Sequence, residues 1–150
     1  MPLEIRRATP ADAPLIHPLL HAAHRWNAAH GFNFTAATVD LNEVIERIAE
    51  CEVYLLCDGD AAVGTVTLFD DGGIGWLGVD PEAQGKGYGR QLLQFAEEQL
   101  RQHGFTVAKL DTPVSHPWLP AFYQRYGYKP VGTTHWEGKR YDSILLEKPL

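Results

Sequence analysis

The stretch Leu77-Gly78-Val79-Asp80-Pro81-Glu82-Ala83-Gln84-Gly85-Lys86-Gly87-Tyr88-Gly89-Arg90 decides the reading of this chain. An apolar segment runs into three glycines at alternate positions. A helical pattern follows at once, with Leu92, Leu93, Ala96 and Leu100 on one side, and it stops at His103-Gly104. Glycines without Cβ atoms let a ligand approach the backbone closely. The first N–H groups of the helix lack intrahelical partners and sit at the positive end of its dipole, an anion site suited to a pyrophosphate. Lys86 and Arg90 add full charges beside it. A tight strand-to-helix turn with no ligand is the other reading of the same residues. Two nucleotide motifs do not fit. The P-loop string GxxxxGK[ST] is absent. A dinucleotide fingerprint needs G-x-G-x-x-G opening a parallel βαβ unit, and here the third glycine is missing and three antiparallel strands come first.

Working outward toward the N-terminus, Val53–Cys57, Ala61–Phe69 and Gly73–Val79 read as strands. Asp58-Gly59-Asp60 and Asp70-Asp71-Gly72 join them as hairpin turns. Before them, Leu3 to Ala8 alternates as a strand and ends at Thr9-Pro10-Ala11-Asp12, an N-cap with Pro at N1 and an acid at N3. A helix follows to about Asn27 or His30, delayed or kinked by Pro14 and Pro18, with Gly31 as its stop. Thr38 or Asp40 caps a second helix with Leu41, Val44, Ile45 and Ile48 on one face. Toward the C-terminus, Val107–Thr112 is a strand and Trp118–Tyr126 a short helix closed by Gly127. Tyr128–Trp136 and Tyr141–Glu147 form an antiparallel pair across Glu137-Gly138-Lys139. The order is β-α-α-β-β-β-α-β-α-β-β, an α/β fold with a mixed, mostly antiparallel central sheet flanked by helices. No repeat, low-complexity tract or linker divides it, so residues 1–150 read as a single domain.

Composition narrows the classes. The 150 residues are 45% hydrophobic and 21% charged, with a net charge of −6. That is enough apolar material for one core and too much for disorder. No run of about 18 apolar residues is available to span a bilayer. Met1-Pro2-Leu3-Glu4-Ile5-Arg6-Arg7 lacks the apolar stretch of a secretory signal, so the expected compartment is the cytoplasm, with no membrane partner. Net acidity argues against nucleic acid, which needs a basic face. Cys51 and Cys57 form no CxxC pair and read as reduced thiols. His17, His21 and His24 share a helical face at i, i+4 and i+7. No carboxylate joins them, so a solvated face or the lining of a cleft is expected and no metal.

The sequence resembles the GNAT superfamily of coenzyme A-dependent N-acetyltransferases. The resemblance rests on Leu77-Gly78-Val79-Asp80-Pro81 followed by Gln84-Gly85-Lys86-Gly87-Tyr88-Gly89, similar to the family's [Gln/Arg]-x-x-Gly-x-[Gly/Ala] signature at the expected distance from a strand-end valine. It continues at Ala121-Phe122-Tyr123-Gln124-Arg125-Tyr126-Gly127-Tyr128, similar to the second motif Phe-Tyr-x-x-x-Gly-[Phe/Tyr]. The element order over residues 3–149 agrees as well.

The resemblance implies acetyl-CoA as cosubstrate. Its pyrophosphate would lie on the amides from Gly85 to Arg90, next to Gln84, and its pantetheine arm along Leu77, Gly78 and Val79. The Val79 N–H would donate to the thioester carbonyl, a fixed dipole where negative charge develops. Tyr123 matches the tyrosine that protonates the departing thiolate; at helical spacing with Phe122 and Tyr126, core packing is its other reading. Asp111, at a strand end, matches a position where relatives carry a glutamate base, and a satisfied strand-end carboxylate is the alternative. His116 stands seven residues before Tyr123, where many relatives have an asparagine contacting the CoA arm. It can keep that hydrogen-bonding task, serve as base, or be a loop histidine. Trp26, Phe32 and Phe34 are specificity candidates, or plain core or dimer contacts.

The expected reaction is direct transfer of acetyl to a primary amine of a small molecule or peptide in a ternary complex, and a homodimer is compatible with it. A non-catalytic CoA-binding regulatory module is the alternative. The charge is uneven: residues 1–80 hold 4 basic and 12 acidic side chains, residues 81–150 hold 9 and 7. An acidic half near the acceptor site would draw in a cationic amine.

Overall fold

A computed structural model describes residues 3–150; Met1 and Pro2, part of the segment read for a secretory signal, lie outside the described residues. Seven strands and six helices follow in chain order, with short 3₁₀ turns at Pro10–Asp12 and Pro81–Ala83. The first sheet holds β1 (Leu3–Arg7), β2 (Glu52–Asp58), β3 (Ala61–Leu68) and β4 (Ile74–Val79) in that order, every pair antiparallel. The second holds β5 (Val107–Pro113), β7 (Ser143–Pro149) and β6 (Lys129–Thr134), again antiparallel, with β7 in the middle. The parallel element of the mixed sheet is one bridge, Gly73 to Lys109, where the two ladders touch. The rest of β4 and β5 do not pair.

Strand periodicity divides the core. On β2, Val53 and Leu55 face one side, where they pack with Ile16, Leu20, Val44 and Ile48. Tyr54 and Leu56 face the other, toward Leu92, Leu93 and Leu100. The first side is covered by α1 (Ala13–Ala23) and α4 (Leu41–Glu50), the second by α5 (Tyr88–Gln102). On α4 only Val44 and Ile48 are buried. Leu41 and Ile45, expected on the same apolar face, are exposed, because the contact stripe is a single i, i+4 row. Asp40, not Thr38, caps α4, its carboxylate accepting from Glu43 N–H at 2.8 Å. Thr35–Thr38 is instead a short helix of its own, α3.

The first helical segment breaks at neither proline. Pro14 sits in the first turn, where an N–H has no partner anyway, and Pro18 is carried inside α1. The break comes at His24 (φ −103°, ψ 9°), after which α2 (Arg25–Ala29) starts, and Gly31 (φ +87°) follows its end. Cys51 and Cys57 are both free. No helix among the described residues is long and apolar enough to cross a membrane.

The entry to α1 is fixed by a paired charge. Arg6 Nη1 and Nη2 donate to Asp12 Oδ2 and Oδ1 at 2.9 and 2.8 Å, and Thr9 N–H donates to Oδ2 at 2.8 Å. These donors hold the buried Asp12 carboxyl at a pKa of about 2. Protonation is then easier in the unfolded chain, where the value is ~3.9, so this stabilisation is complete above pH ~4 and lost as pH falls toward ~2. Asp12→Ala is expected to cost about 1–3 kcal/mol at pH 7 by urea unfolding. The stability gap between wild type and variant should shrink between pH 4 and 2; a gap constant over that window would rule out the pair as its source.

Candidate active site

On β4, Trp76 and Leu77 together oppose the single residue Val66 of β3, a β-bulge between the Thr65–Gly78 and Thr67–Gly75 pairs. Trp76 has φ +50°, a left-handed conformation rare for an aromatic residue. Its ring turns to the α1/α4 side, where the Arg47 guanidinium of α4 lies 4.4 Å from its centroid, while Leu77 packs on the α5 side. Past the bulge, β4 and β5 diverge and a cavity of about 970 Å³ opens between them.

One end of the cavity is the glycine-rich turn. Gly85 and Gly87 have φ of +85° and +79°, with open space where a Cβ would stand, so backbone conformation and not crowding requires glycine there. Gly87 is the N-cap of α5, whose first N–H groups face the cleft end. Of the ten residues expected to hold a cofactor, Leu77, Gly78, Val79, Gln84, Gly85, Gly87, Tyr88, Gly89 and Arg90 line the cavity. Lys86 is exposed and does not line the cavity. The Tyr88 ring is buried and its hydroxyl donates to Asp58 Oδ2 at 3.3 Å, so only its backbone is free for a ligand.

The other end holds the proposed chemistry. Tyr123, on α6 (Leu119–Arg125), is buried with its ring in the cavity wall. Burial, and then the Asp111 charge, raises its pKa, so it keeps its proton throughout the neutral range. Asp111 stands on β5 with Oδ2 accepting from Trp136 Nε1 at 2.6 Å. Its charge also acts on Tyr141, whose pKa is raised to about 12 by burial first, and on Lys139. Lys139 Nζ donates to Asn33 O at 2.8 Å and to Thr35 Oγ1 at 2.9 Å, tying the α2–α3 connection to the β6–β7 turn. Trp26 and Phe34 line the cavity, as does Trp118. Phe32 stands behind them against His116 and Tyr141, at centroid distances of 4.9 and 6.0 Å.

His116 does not line the cavity. It is 5% exposed with both ring nitrogens engaged: Nδ1 accepts from Trp118 and Leu119 N–H at 3.3 and 3.2 Å, and Nε2 bonds Asn27 Oδ1 at 2.7 Å. Its task is therefore to hold the start of α6. The histidines that do reach the cavity are His24, which the sequence offers only as one of a trio, and His30. That trio separates: the His17 and His21 rings meet at a tilt, with centroids 4.3 Å apart, and His21 Nε2 donates to Val39 O at 2.6 Å. Among the described residues, no group of three His, Cys, Asp or Glu side chains gathers as a metal site requires.

The charges around the cavity differ from the two-half division of the sequence. None of the acidic side chains of residues 1–80 lines it; Asp111 is its one carboxylate among the described residues, and Arg25, Arg90 and Lys139 are the basic residues that line it. The first half of the chain thus walls this site, but not with its acidic side chains.

Comparison with known proteins agrees with the geometry. Residues 49–130 match the model of the family described as acetyltransferase (GNAT) domain. The S-(2-succino)cysteine N-acetyltransferase of Bacillus subtilis is 31% identical over 97% of this chain and 94% of that protein. Among solved structures, the PaiA N-acetyltransferase from Thermoplasma acidophilum in complex with coenzyme A superposes with a TM-score of 0.81 at 16% identity, covering all of both chains. A GNAT family acetyltransferase from Elizabethkingia anophelis with acetyl-CoA bound gives 0.75 at 21%, over 99% of this chain and 98% of that one.

The cleft depends on the close approach of α1 to β4. A Cβ at Gly78 would stand 2.9 Å from Ala23 Cβ. Gly78→Ala is therefore expected to destabilise the fold by roughly 1–3 kcal/mol through overpacking, lowering Tm by several degrees. An unchanged melting curve would mean that α1 is not pressed onto the strand.

Proposed function

The chain belongs to the GNAT acetyltransferase superfamily and is an acyltransferase, and on that premise we propose that it moves the acetyl group of acetyl-CoA directly onto a primary amine of a small molecule or peptide. The observation that carries this reading is the divergence of β4 and β5, with an open glycine turn at one end and Tyr123 and Asp111 at the other. Coenzyme A or acetyl-CoA in two structures of the same fold supports the choice of cosubstrate. The N-acetylated cysteine derivative named for the Bacillus subtilis relative supports a small-molecule amine. The proposed unit is one N-acetyltransferase domain over residues 1–150, working in the cytoplasm without a metal.

Acetyl-CoA would extend from the turn along β4. Its pyrophosphate takes the free N–H groups at the start of α5, with Arg90 and Lys86 as counter-charges. The pantetheine amides meet the backbone of Leu77 to Val79, and the Val79 N–H faces the thioester oxygen. A free alkyl amine has a pKa near ~10.4 and arrives mostly as ammonium, so it must lose a proton first. Asp111 takes that proton, directly or through water, its carboxylate aimed by Trp136. The amine lone pair then bonds the thioester carbon while the C=O pair moves onto oxygen. On collapse the C=O re-forms, the C–S bond breaks and the thiolate takes the Tyr123 proton, while the nitrogen, cationic since the attack, releases its second proton to solvent to leave the neutral amide. The phenolate recovers a proton from solvent. His116 positions the acid by anchoring the helix that bears it.

Calorimetric titration with acetyl-CoA should give saturable heat, and thiol release should rise when amines are added. Tyr123→Phe should lower turnover by a factor of about 10²–10⁴ with acetyl-CoA affinity little changed. Binding without acceptor-stimulated thiol release would favour the non-catalytic CoA-binding module, and no binding would overturn the cofactor assignment.

A further inference from the structure

Asn33, in the α2–α3 connection, holds three successive residues of the β6–β7 turn. Its Nδ2 donates to Gly138 O at 2.9 Å, its Oδ1 accepts from Arg140 N–H at 3.0 Å, and its backbone O accepts from Lys139 Nζ at 2.8 Å. Thr35 Oγ1 is a second acceptor for Lys139 Nζ, at 2.9 Å, in a bond that is exposed. The Lys139 backbone is placed as well: its N–H donates to Trp136 O at 3.1 Å, and the Trp136 indole is the group that bonds Asp111. A long, flexible side chain is thus fixed at the end of the cavity that holds Asp111. The two side-chain bonds of Asn33 already tie the turn to the connection, so the clasp itself does not require a charge.

That charge is uncompensated. An ammonium has three N–H groups, and the two engaged here meet neutral oxygens, so one is left over. Among the described residues no carboxylate lies within 4 Å of Lys139, nor of Arg25, which also lines the cavity. Half-burial lowers the Lys139 pKa, with the more distant Asp111 charge acting the other way. Two residues on, Tyr141 packs against Phe32 and Phe34 at centroid distances of 6.0 and 5.8 Å and lines the same cavity. Its hydroxyl is unpaired among the described residues and keeps accessible surface. A partly desolvated cation without an anion is unfavourable in a folded chain, which points to negative charge supplied by a ligand. Acetyl-CoA does not supply it: its phosphates belong to the glycine turn at the opposite end, and its pantetheine and acyl parts are uncharged. The charge has to come with the acceptor.

We propose that the acceptor is an amino acid, its amine facing Asp111 and its carboxylate held by the remaining Lys139 N–H and the Tyr141 hydroxyl. This rests on the acyl-transfer reading above, in which Asp111 takes the amine proton. Two donors match the two oxygens of a carboxylate. A plain alkylamine or a polyamine would instead bring further positive charge to a wall that already carries an excess of it. Lys139 and Tyr141 are then the residues that select the acceptor, and the chemistry at the thioester is unchanged.

The test measures thiol release at saturating acetyl-CoA with the common L-amino acids, β-alanine and γ-aminobutyrate, each beside its carboxamide. The carboxamide keeps the amine and removes only the negative charge. Its amine is also less basic and more often neutral, which by itself would favour it, so a preference for the acid reports the anion. The best amino acid should exceed its carboxamide in kcat/KM by a factor of about 10–10², mostly through KM. Lys139→Met should bring that ratio to within about threefold of unity. Tyr141→Phe, which leaves every Asn33 contact in place, should lower it by a factor of about 3–10. Carboxamides or alkylamines preferred over every amino acid overturn the proposal and leave the acyl-transfer reading intact. A Lys139→Met protein that loses both acceptors in equal proportion marks a purely structural lysine and overturns it too, as does an unchanged ratio in Tyr141→Phe. Should Lys139→Met fail to fold, the wild-type ratio and Tyr141→Phe decide. If acetyl-CoA binds but no amine of either kind releases thiol, the acyl-transfer reading fails and the proposal fails with it.

Discussion

The bulge in β4 is the constraint on which the site depends. A regular β4 would continue its ladder and run on beside β5, with its backbone groups facing a neighbouring strand. With Trp76 and Leu77 both opposing Val66, the strand bends, and the contact between the two sheets ends at the Gly73–Lys109 bridge. A left-handed conformation at a tryptophan costs on the order of 1–3 kcal/mol and persists only where packing over-determines it. That packing is visible: Arg47 lies over the Trp76 ring and, at 5.1 Å, over Phe69. A helix on one side of the sheet thus holds the bend beside which the cleft opens.

Electrostatics inside the cleft follow from which charges reach it. Arg25, Arg90 and Lys139 outnumber the one carboxylate, Asp111, among the lining residues described. A cation-rich wall suits a polyanionic cosubstrate and works against an ammonium ion except beside Asp111. The same asymmetry favours the neutral amine, the form that can attack. Net charge by sequence half had suggested an acidic approach for the acceptor. Burial and strand direction send those carboxylates elsewhere, several of them into structural pairs such as Asp12 with Arg6 and Glu52 with Arg7.

Much of this architecture was legible in the sequence. Alternation marked the strands, the helical stripe Leu92–Leu100 marked α5, and the spacing Gly85-x-Gly87-x-Gly89 marked the turn. The Phe122-Tyr123 motif marked the helix that reaches the cavity. What was hidden depends on long-range contacts or on backbone state. Nothing local at Trp76 announces φ +50°, and Arg47 lies 29 positions earlier in the chain. The chemistry of His116 is plain in the sequence, but its orientation is set by Asn27, 89 residues away, which no local pattern encodes. His24 was visible only as part of a helical repeat with His17 and His21. The helix break at His24 removes it from that face, while Pro14 and Pro18 are both carried within α1.

A row of hydrogen bonds from His116 through Asn27 to His24 ties the start of α6 to the break between α1 and α2. One imidazole does two jobs: its Nδ1 gathers the amides that start α6, and its Nε2–H orients Asn27. A displacement of α6 that moved Tyr123 away would pull His116 with it and loosen the Asn27 carboxamide. A charged relay could hold the same geometry, but two buried imidazolium rings would repel each other and face the desolvation cost that already lowers both pKa values. A neutral row avoids that cost and leaves the cavity's field to Asp111 and its cationic neighbours. Polarity at this depth is therefore carried by oriented dipoles, which need no counter-ion and do not change when the charge on the reacting groups does.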